Sequence, residues 1–318
     1  MKLKTIFFGT PEYAIPIIDY LLENELLSCV VTRSDKMAGR YCVVTPSPVK
    51  VAALSRNIPV WTPEKLDDAE FVNWLAGEKP DIAVVIAYGK IIPPDMLKIF
   101  SLGNINIHFS LLPAYRGAAP VQWAIINGEK ETGITSFRMN EKLDTGKIIC
   151  QKKIRIEHND DLGSLRAKMV ELSIEVIKES LIKIKNGEPC YKQEGTVTYA
   201  PKLKKSDGRI NWNLSAKKIY NLVRGTKPSP CAFVELTNKI FKIDSLKILE
   251  CEIVKPQLNE AGNCPAGSVV SMVKDVGFTV KCGEGFLLVK TVQPSSKNIM
   301  SAWAFLQGHK IQIGDALG

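Results

Sequence analysis

The apolar positions along the chain change their spacing near residue 190. Before it, short β-branched runs alternate with stretches whose apolar residues recur every three to four positions, the pattern of an α/β sheet with helices on its faces. The runs predict strands over 3–8, 27–32, 82–87 and 105–109, and the stretches between them predict helices over 11–23, 48–56, 70–76 and 120–127. A longer helix is written in DDLGSLRAKMVELSIEVIKESLIKIKNG, with acids at its start, lysines near its end and a closing Gly187. From 190 to 206 the chain is polar, rich in lysine and without a sustained period, as expected of a linker. Beyond it come one short helix in SAKKIYNLVRG and five β-type runs, CAFVELT, KIFKIDSLKI, GSVVSMV, GFTVKCG and FLLVKTV, closed by a helix in MSAWAFLQG. That order suits a small barrel or curled sheet. Two domains are expected, 1–189 and 207–318, and no internal repeat is present.

Composition narrows the class. With 318 residues and 45% apolar content the chain can bury sizeable cores and needs no disordered or fibrous reading. Its longest apolar runs, such as DIAVVIAYG, are about half a membrane span, and KLKTIFF enters the first strand too early to leave room for a signal peptide. A soluble, cytoplasmic protein is expected. Eight cysteines without a C-x-x-C pair, and three histidines, offer neither a zinc knuckle nor a disulfide framework, so reduced and mostly buried thiols are expected. The net charge of +9 is uneven: from Tyr191 onward 18 Lys and Arg face 10 Asp and Glu, against 24 and 23 before it. A basic excess gathered in one domain is what a phosphate backbone selects.

Chemistry first surfaces in INIHFSLLPAYRGAAP. Alternate strand residues share a face, so Asn106 and His108 project together, about 7 Å apart, at the carboxyl end of a strand, where open α/β sheets bind ligands. Alone, His108 reads as a satisfied structural histidine; paired with Asn106 it can grip one reacting centre. In LDTGK, Asp144 sits in a tight turn, where aspartate commonly bonds only its own backbone. The first turn, FFGTPEYA, holds one glycine of the three a dinucleotide fingerprint needs. It reads instead as a strand-to-helix turn, with Thr10 as N-cap and Pro11 opening the helix.

FFGTPEYA, TPSPVKVAA, VVIAYGKIIP, INIHFSLLPAYRGAAPVQWAI and ETGITSFRMNEKLDTGKI resemble the successive motifs of the methionyl-tRNA formyltransferase family, and GRINWNLSAKKIYNLVRGTKPSPCAFV with MSAWAFLQG resembles its C-terminal domain. The resemblance implies a Rossmann-like N-terminal formyltransferase domain with a mostly parallel sheet and a C-terminal small β-barrel, OB-like, that binds tRNA. It implies formyl transfer from 10-formyltetrahydrofolate to the α-amine of methionyl-initiator tRNA, for translation initiation, with Asn106, His108 and Asp144 catalytic and no metal. Attack of an amine on a formamide-like carbon makes an oxyanion that needs donors already aimed at it, which the Asn106 amide and a protonated His108 can supply. Asp144 would steady that cation and accept the amine's proton, directly or through water.

For the folate, the resemblance implies Ala87, Tyr88, Gly89 and Ile91, then Ser110, Leu111, Leu112 and Pro113, then Asn140, Leu143, Thr145 and Gly146. For the tRNA it implies Lys36 and Arg40, and the charge count adds Lys202, Lys204, Lys205, Arg209 and Lys218. No obligatory protein partner is evident and a monomer is expected. Two departures stand out. Phe109 follows His108 where the family usually has glycine, and Tyr41, Cys42, Val43 and Val44 replace the lysines that usually continue the loop after Arg40. The alternatives are an amino-sugar-nucleotide formyltransferase, a formyltetrahydrofolate hydrolase with the same core, and a tRNA-binding homologue with impaired catalysis.

Overall fold

The computed structural model describes residues 3–38, 42–236, 243–255, 264–309 and 311–318. Contacts divide the chain into two units, one of 1–120, 131–155 and 164–201, the other of 121–130, 156–163 and 202–318.

In the first unit, β1 (Thr5–Gly9), β2 (Leu27–Val31), β5 (Val60–Trp61), β6 (Ile82–Ile86), β7 (Asn104–His108), β8 (Glu131–Arg138) and β9 (Ile148–Arg155) make one sheet in the order β5-β2-β1-β6-β7-β8-β9. The strands from β5 to β7 are parallel, and β8 and β9 add antiparallel at one edge. β1 and β6 are buried at every position, which is why TIFFG and IAVVI carry no polar alternation. A hairpin of β3 (Lys36–Ala38) and β4 (Val43–Thr45) stands apart from the sheet. The helices are α1 (Ile15–Glu23), α2 (Pro48–Ser55), α3 (Ala69–Gly77), α4 (Pro94–Leu97), α5 (Pro120–Ile126), most of whose residues group with the second unit, and α6 (Leu162–Lys185). Ser47 and Asp68 cap α2 and α3 by accepting backbone N–H bonds. Thr10 does not cap α1: a single 3-10 turn, Glu12–Ala14, precedes that helix, and the Thr10 hydroxyl instead donates to Tyr88 O at 2.9 Å.

In the second unit, β10 (Ala232–Glu235), β11 (Ser245–Val254), β12 (Val269–Val273), β13 (Gly277–Lys281) and β14 (Phe286–Pro294) form an antiparallel sheet in the order β10-β11-β14-β13-β12, with β15 (Met300–Ser301) beside β14. One core gathers the inner faces of these strands with Ile219 and Val223 of α7 (Ala216–Thr226) and Phe305 and Leu306 of α8 (Ala302–His309). Trp212 seals it, its indole N–H donating to Leu317 O at 2.7 Å. Among the described residues no helix is long and apolar enough to cross a membrane.

All eight cysteines are free, and four are buried. Cys29 and Cys282 are each 1% exposed, and burial pushes their thiols up to about 12 from the usual 9.0. Below pH 9.0 these thiols are neutral folded or unfolded; above it only the unfolded chain ionises, so their contribution to stability fades as pH rises toward about 12. An alkylating agent at pH 8.5 is expected to modify exposed Cys42 while Cys29 and Cys282 stay unlabelled until urea is added. Peptide mapping checks this, and native labelling of either buried thiol would contradict it.

Candidate active site

The carboxyl ends of the parallel strands lead into loops of the first unit, and β7 carries its polar pair there. Asn106 is half-buried and His108 is 6% exposed. Asn106 makes no side-chain hydrogen bond among the described residues, so its amide is available to a ligand.

Beyond His108 the chain turns sharply through a cis peptide between Leu112 and Pro113. Polar residues of the next two strands hold this turn. Thr135, opposite His108 in the β7–β8 register, donates through Oγ1 to Ser110 O at 2.6 Å and accepts from Leu112 N at 3.1 Å. Gln151 of β9 donates from Nε2 to Leu112 O at 3.1 Å and to Thr135 Oγ1 at 2.7 Å. The bonds at Thr135 Oγ1 and Leu112 N give partners to groups that are buried.

The turn returns a carbonyl to the histidine: His108 Nε2 lies 2.9 Å from Tyr115 O. A carbonyl oxygen only accepts, so Nε2 carries a proton and donates it. Nδ1 then faces Asp144 Oδ2 at 3.8 Å, beyond hydrogen-bond length, a gap that a water or a reacting atom can bridge. Asp144 is 7% exposed, sits in the left-handed region at φ 52° and accepts through Oδ2 from Gly117 N at 2.8 Å. A carboxylate in that conformation, fixed by a loop 27 residues away, is placed by its tertiary setting and not by its own turn.

The positions matched to folate divide. Ala87 at φ 45° and Gly89 at φ 80° flank buried Tyr88, so the backbone after β6 turns left-handed twice. Ser110, Leu112, Pro113 and Gly146 are buried, and Leu111 and Thr145 half-buried. Ile91 and Leu143 stand 88% and 72% exposed, two large apolar side chains facing solvent on the loops after β6 and β8. Asn140 accepts from Lys142 N at 3.1 Å and Thr145 Oγ1 at 2.9 Å, bracing the turn that carries Asp144. A cleft of about 490 Å³ borders Asn140 and α4, and none of Asn106, His108 or Asp144 lines it. Phe109 is 7% exposed, its ring edge-on to Tyr13 of the first turn with centroids 5.6 Å apart.

Of the positions matched to tRNA, Lys36 is exposed on β3, and Arg40 lies outside the described residues. Val43 and Val44 on β4 are 60% and 59% exposed. In the second unit Lys202, Lys204, Lys205, Arg209 and Lys218 are all exposed; Arg209 pairs with Glu235 at 2.6 Å, and Lys205 Nζ lies 5.8 Å from the Phe233 ring centroid.

Sequence reasoning missed the strap 193–200, which belongs with the first unit. Thr198 Oγ1 accepts from Tyr115 N at 2.8 Å, Thr198 O from Arg116 N at 2.9 Å, and Ala200 O from Ala119 N at 3.0 Å. Gly117 (φ 129°) passes so close that a Cβ there would lie 2.5 Å from Ala200 O. The only trace in the sequence is the short β-type run VTYA inside a polar stretch.

The formyl transferase family model matches residues 1–181, and that of the formyl transferase C-terminal domain matches 202–310. The methionyl-tRNA formyltransferase of Thermodesulfovibrio yellowstonii is 43% identical over 316 residues, covering 99% of this chain and 98% of that protein. Among solved structures, Aquifex aeolicus HypX in complex with tetrahydrofolic acid superposes with a TM-score of 0.64 at 16% identity, covering 97% of this chain and 48% of HypX. The N-formyltransferase of Helicobacter canadensis, in complex with folinic acid and dTDP-3-aminofucose, gives 0.64 at 20% identity, covering 92% and 99%. These two likenesses concern the fold; the near full-length identity to the tRNA enzyme carries more, and the chain belongs to the methionyl-tRNA formyltransferase family.

Proposed function

We propose that this protein transfers the formyl group of 10-formyltetrahydrofolate to the α-amine of methionine charged on initiator tRNA, in the cytoplasm, with Asn106, His108 and Asp144 as its catalytic residues. The observation that carries the reading is the approach of His108 Nδ1 and Asp144 Oδ2 to 3.8 Å at the end of β7, the strand on which the Asn106 amide has no side-chain hydrogen bond among the described residues. The amine nitrogen forms a bond to the formyl carbon, and the carbon's bond to the folate N10 breaks. In between, the formyl oxygen carries negative charge, and two donors fixed in advance, the Asn106 amide and the Nδ1–H of protonated His108, stabilise it without reorganising. The proton lost by the amine passes to Asp144, directly or through water, and one proton returns to the departing N10. The loops at 87–91, 110–113 and 140–146 are the surfaces assigned to the folate, which supplies the activated one-carbon unit.

The exposed basic residues of the second unit, Lys202, Lys204, Lys205, Arg209 and Lys218, are assigned to the tRNA. Binding through phosphates weakens as salt rises, with a log–log slope of about one unit for each phosphate that a lysine or arginine neutralises. Replacing Lys202, Lys204 and Lys205 together by alanine is expected to lower tRNA affinity and flatten the salt slope by about two to three units, with kcat at saturating tRNA unchanged. A slope equal to wild type would remove these lysines from the interface. The reading as a whole is tested with labelled 10-formyltetrahydrofolate offered charged initiator tRNA, an amino sugar nucleotide or water alone. Label on the tRNA alone is expected, and label on the sugar or released as formate would overturn it.

A further inference from the structure

We infer that Gln193 is a positioning residue for Asp144: one side chain, from a stretch outside the family's motifs, clamps the loop of the catalytic carboxylate to the loop that holds the histidine. The inference rests on the proposed role of Asp144. Gln193 Nε2 donates to Asp144 O at 2.9 Å and to Gly146 O at 2.9 Å. Its Oε1 accepts from Arg116 Nη2 at 2.6 Å and from Nε at 3.2 Å. A glutamine amide has two N–H donors and one carbonyl oxygen, and here both donors and the oxygen are used.

The two loops so joined are the ones that set the catalytic gap. Tyr115 O holds His108 Nε2 and Gly117 N holds Asp144 Oδ2, and Arg116 lies between those two residues. A closed circuit results, from His108 through Tyr115 and Arg116 to Gln193, then to Asp144 and across the gap to His108 Nδ1. Without Gln193, Asp144 keeps one bond on its carboxylate and loses the bond on its backbone oxygen, at a residue already in the left-handed region. The clamp is itself anchored on both sides. Tyr191 exchanges two backbone bonds with Ile148, at 2.8 and 3.0 Å, and Thr198 and Ala200 pair with the loop 115–119. Gln193 is half-buried between these anchors, while its neighbours Glu194 to Tyr199 face solvent, so its orientation is not explained by core packing.

A carboxylate displaced by about 1 Å costs roughly a hundredfold in rate, so Gln193→Ala is expected to lower kcat by about thirty- to a hundredfold. KM for tRNA should stay within about threefold, because the clamp touches no residue assigned to the tRNA, while its bond to Gly146, in the loop assigned to the folate, allows KM for folate to rise. Gln193→Glu keeps an acceptor for Arg116 but offers no N–H to Asp144 or Gly146, so it should fall as far as alanine; recovery of wild-type kcat by Glu would overturn the inference. The same variant serves if the alanine form does not fold. The decisive arm is a double-mutant cycle with Asp144→Asn. If Gln193 acts by placing Asp144, adding Gln193→Ala to Asp144→Asn lowers kcat by less than about twofold further. If the second substitution costs as much there as in the wild type, Gln193 does not act through Asp144. A wild-type kcat for Asp144→Asn alone would instead overturn the assignment of Asp144, which the Gln193 variants by themselves would not.

Discussion

Replacing His108 by alanine is expected to lower kcat by about a thousandfold or more while leaving folate affinity within about threefold. The size follows from how many jobs the ring holds at once. Nδ1 is the only ring nitrogen free to face a reacting group, because Nε2 is spent on Tyr115 O. Losing an oxyanion donor costs about 10²–10³, and removing the ring that faces Asp144 also disturbs the proton transfer assigned to that carboxylate, itself worth about 10²–10⁴; the two losses run through one contact and do not multiply, which points to the middle of the combined range. Folding should survive. The alanine leaves a cavity and a carbonyl without its donor, a cost of about 1–3 kcal/mol. The loop at 115–117 keeps the bonds from Tyr115 N to Thr198 Oγ1, from Arg116 N to Thr198 O and from Gly117 N to Asp144 Oδ2. Single-turnover transfer to charged tRNA, an equilibrium folate titration and a melting curve measure the three quantities separately. Turnover within tenfold of wild type would remove His108 from the chemistry, and a folate affinity falling with the rate would make its role one of binding.

How much of this was legible depended on how local each cause was. β7 was legible because alternation is a backbone property: Asn104–His108 forms one strand, and parity alone put Asn106 and His108 on one face. α6 was legible because its 24 residues repeat the helical period many times. β3, β4, β5 and β15, of two or three residues each, were not, since so short a strand has no period to read. Asp144 stood at the boundary. Its own turn explains an aspartate without any chemistry, and only the family motif pointed elsewhere; the bond that fixes it comes from Gly117 N, a backbone group that leaves no mark on composition. Gln193 was illegible for the same reason, as its partners are two carbonyls and a distant arginine. Thr10 was misread because N-cap statistics describe a helix end in isolation, whereas here the hydroxyl serves Tyr88 O, 78 residues on.

Gly146→Ala is the second large effect expected, and it tests whether the Asp144 loop must hold its shape. Gly146 is needed for room. A Cβ there would lie 1.6 Å from Arg138 O, 2.8 Å from Arg138 C and 2.9 Å from Phe137 Cδ2. Two of those atoms are backbone at the end of β8 and cannot rotate away, so relief requires the two ends of the turn to separate by more than 1 Å, given that ordinary contacts begin near 3.4 Å. Separation strains the bond from Arg138 N to Lys147 O, now 2.9 Å, and the bond from Gln193 Nε2 to Gly146 O. Asp144, two residues away, is drawn off its place opposite His108. Misplacement on that scale is worth about a hundredfold in kcat, and forced overpacking with broken hydrogen bonds about 2–4 kcal/mol of stability. Gly77, at the end of α3 with nothing within 4 Å of its would-be Cβ, is the matched control. Gly77→Ala should leave kcat unchanged and raise stability by up to about 1 kcal/mol. Urea unfolding and saturated turnover on both variants check the contrast. Wild-type kcat in Gly146→Ala would mean that the carboxylate keeps its position when its loop does not, and the placement of Asp144 would then have to come from Gly117 N alone.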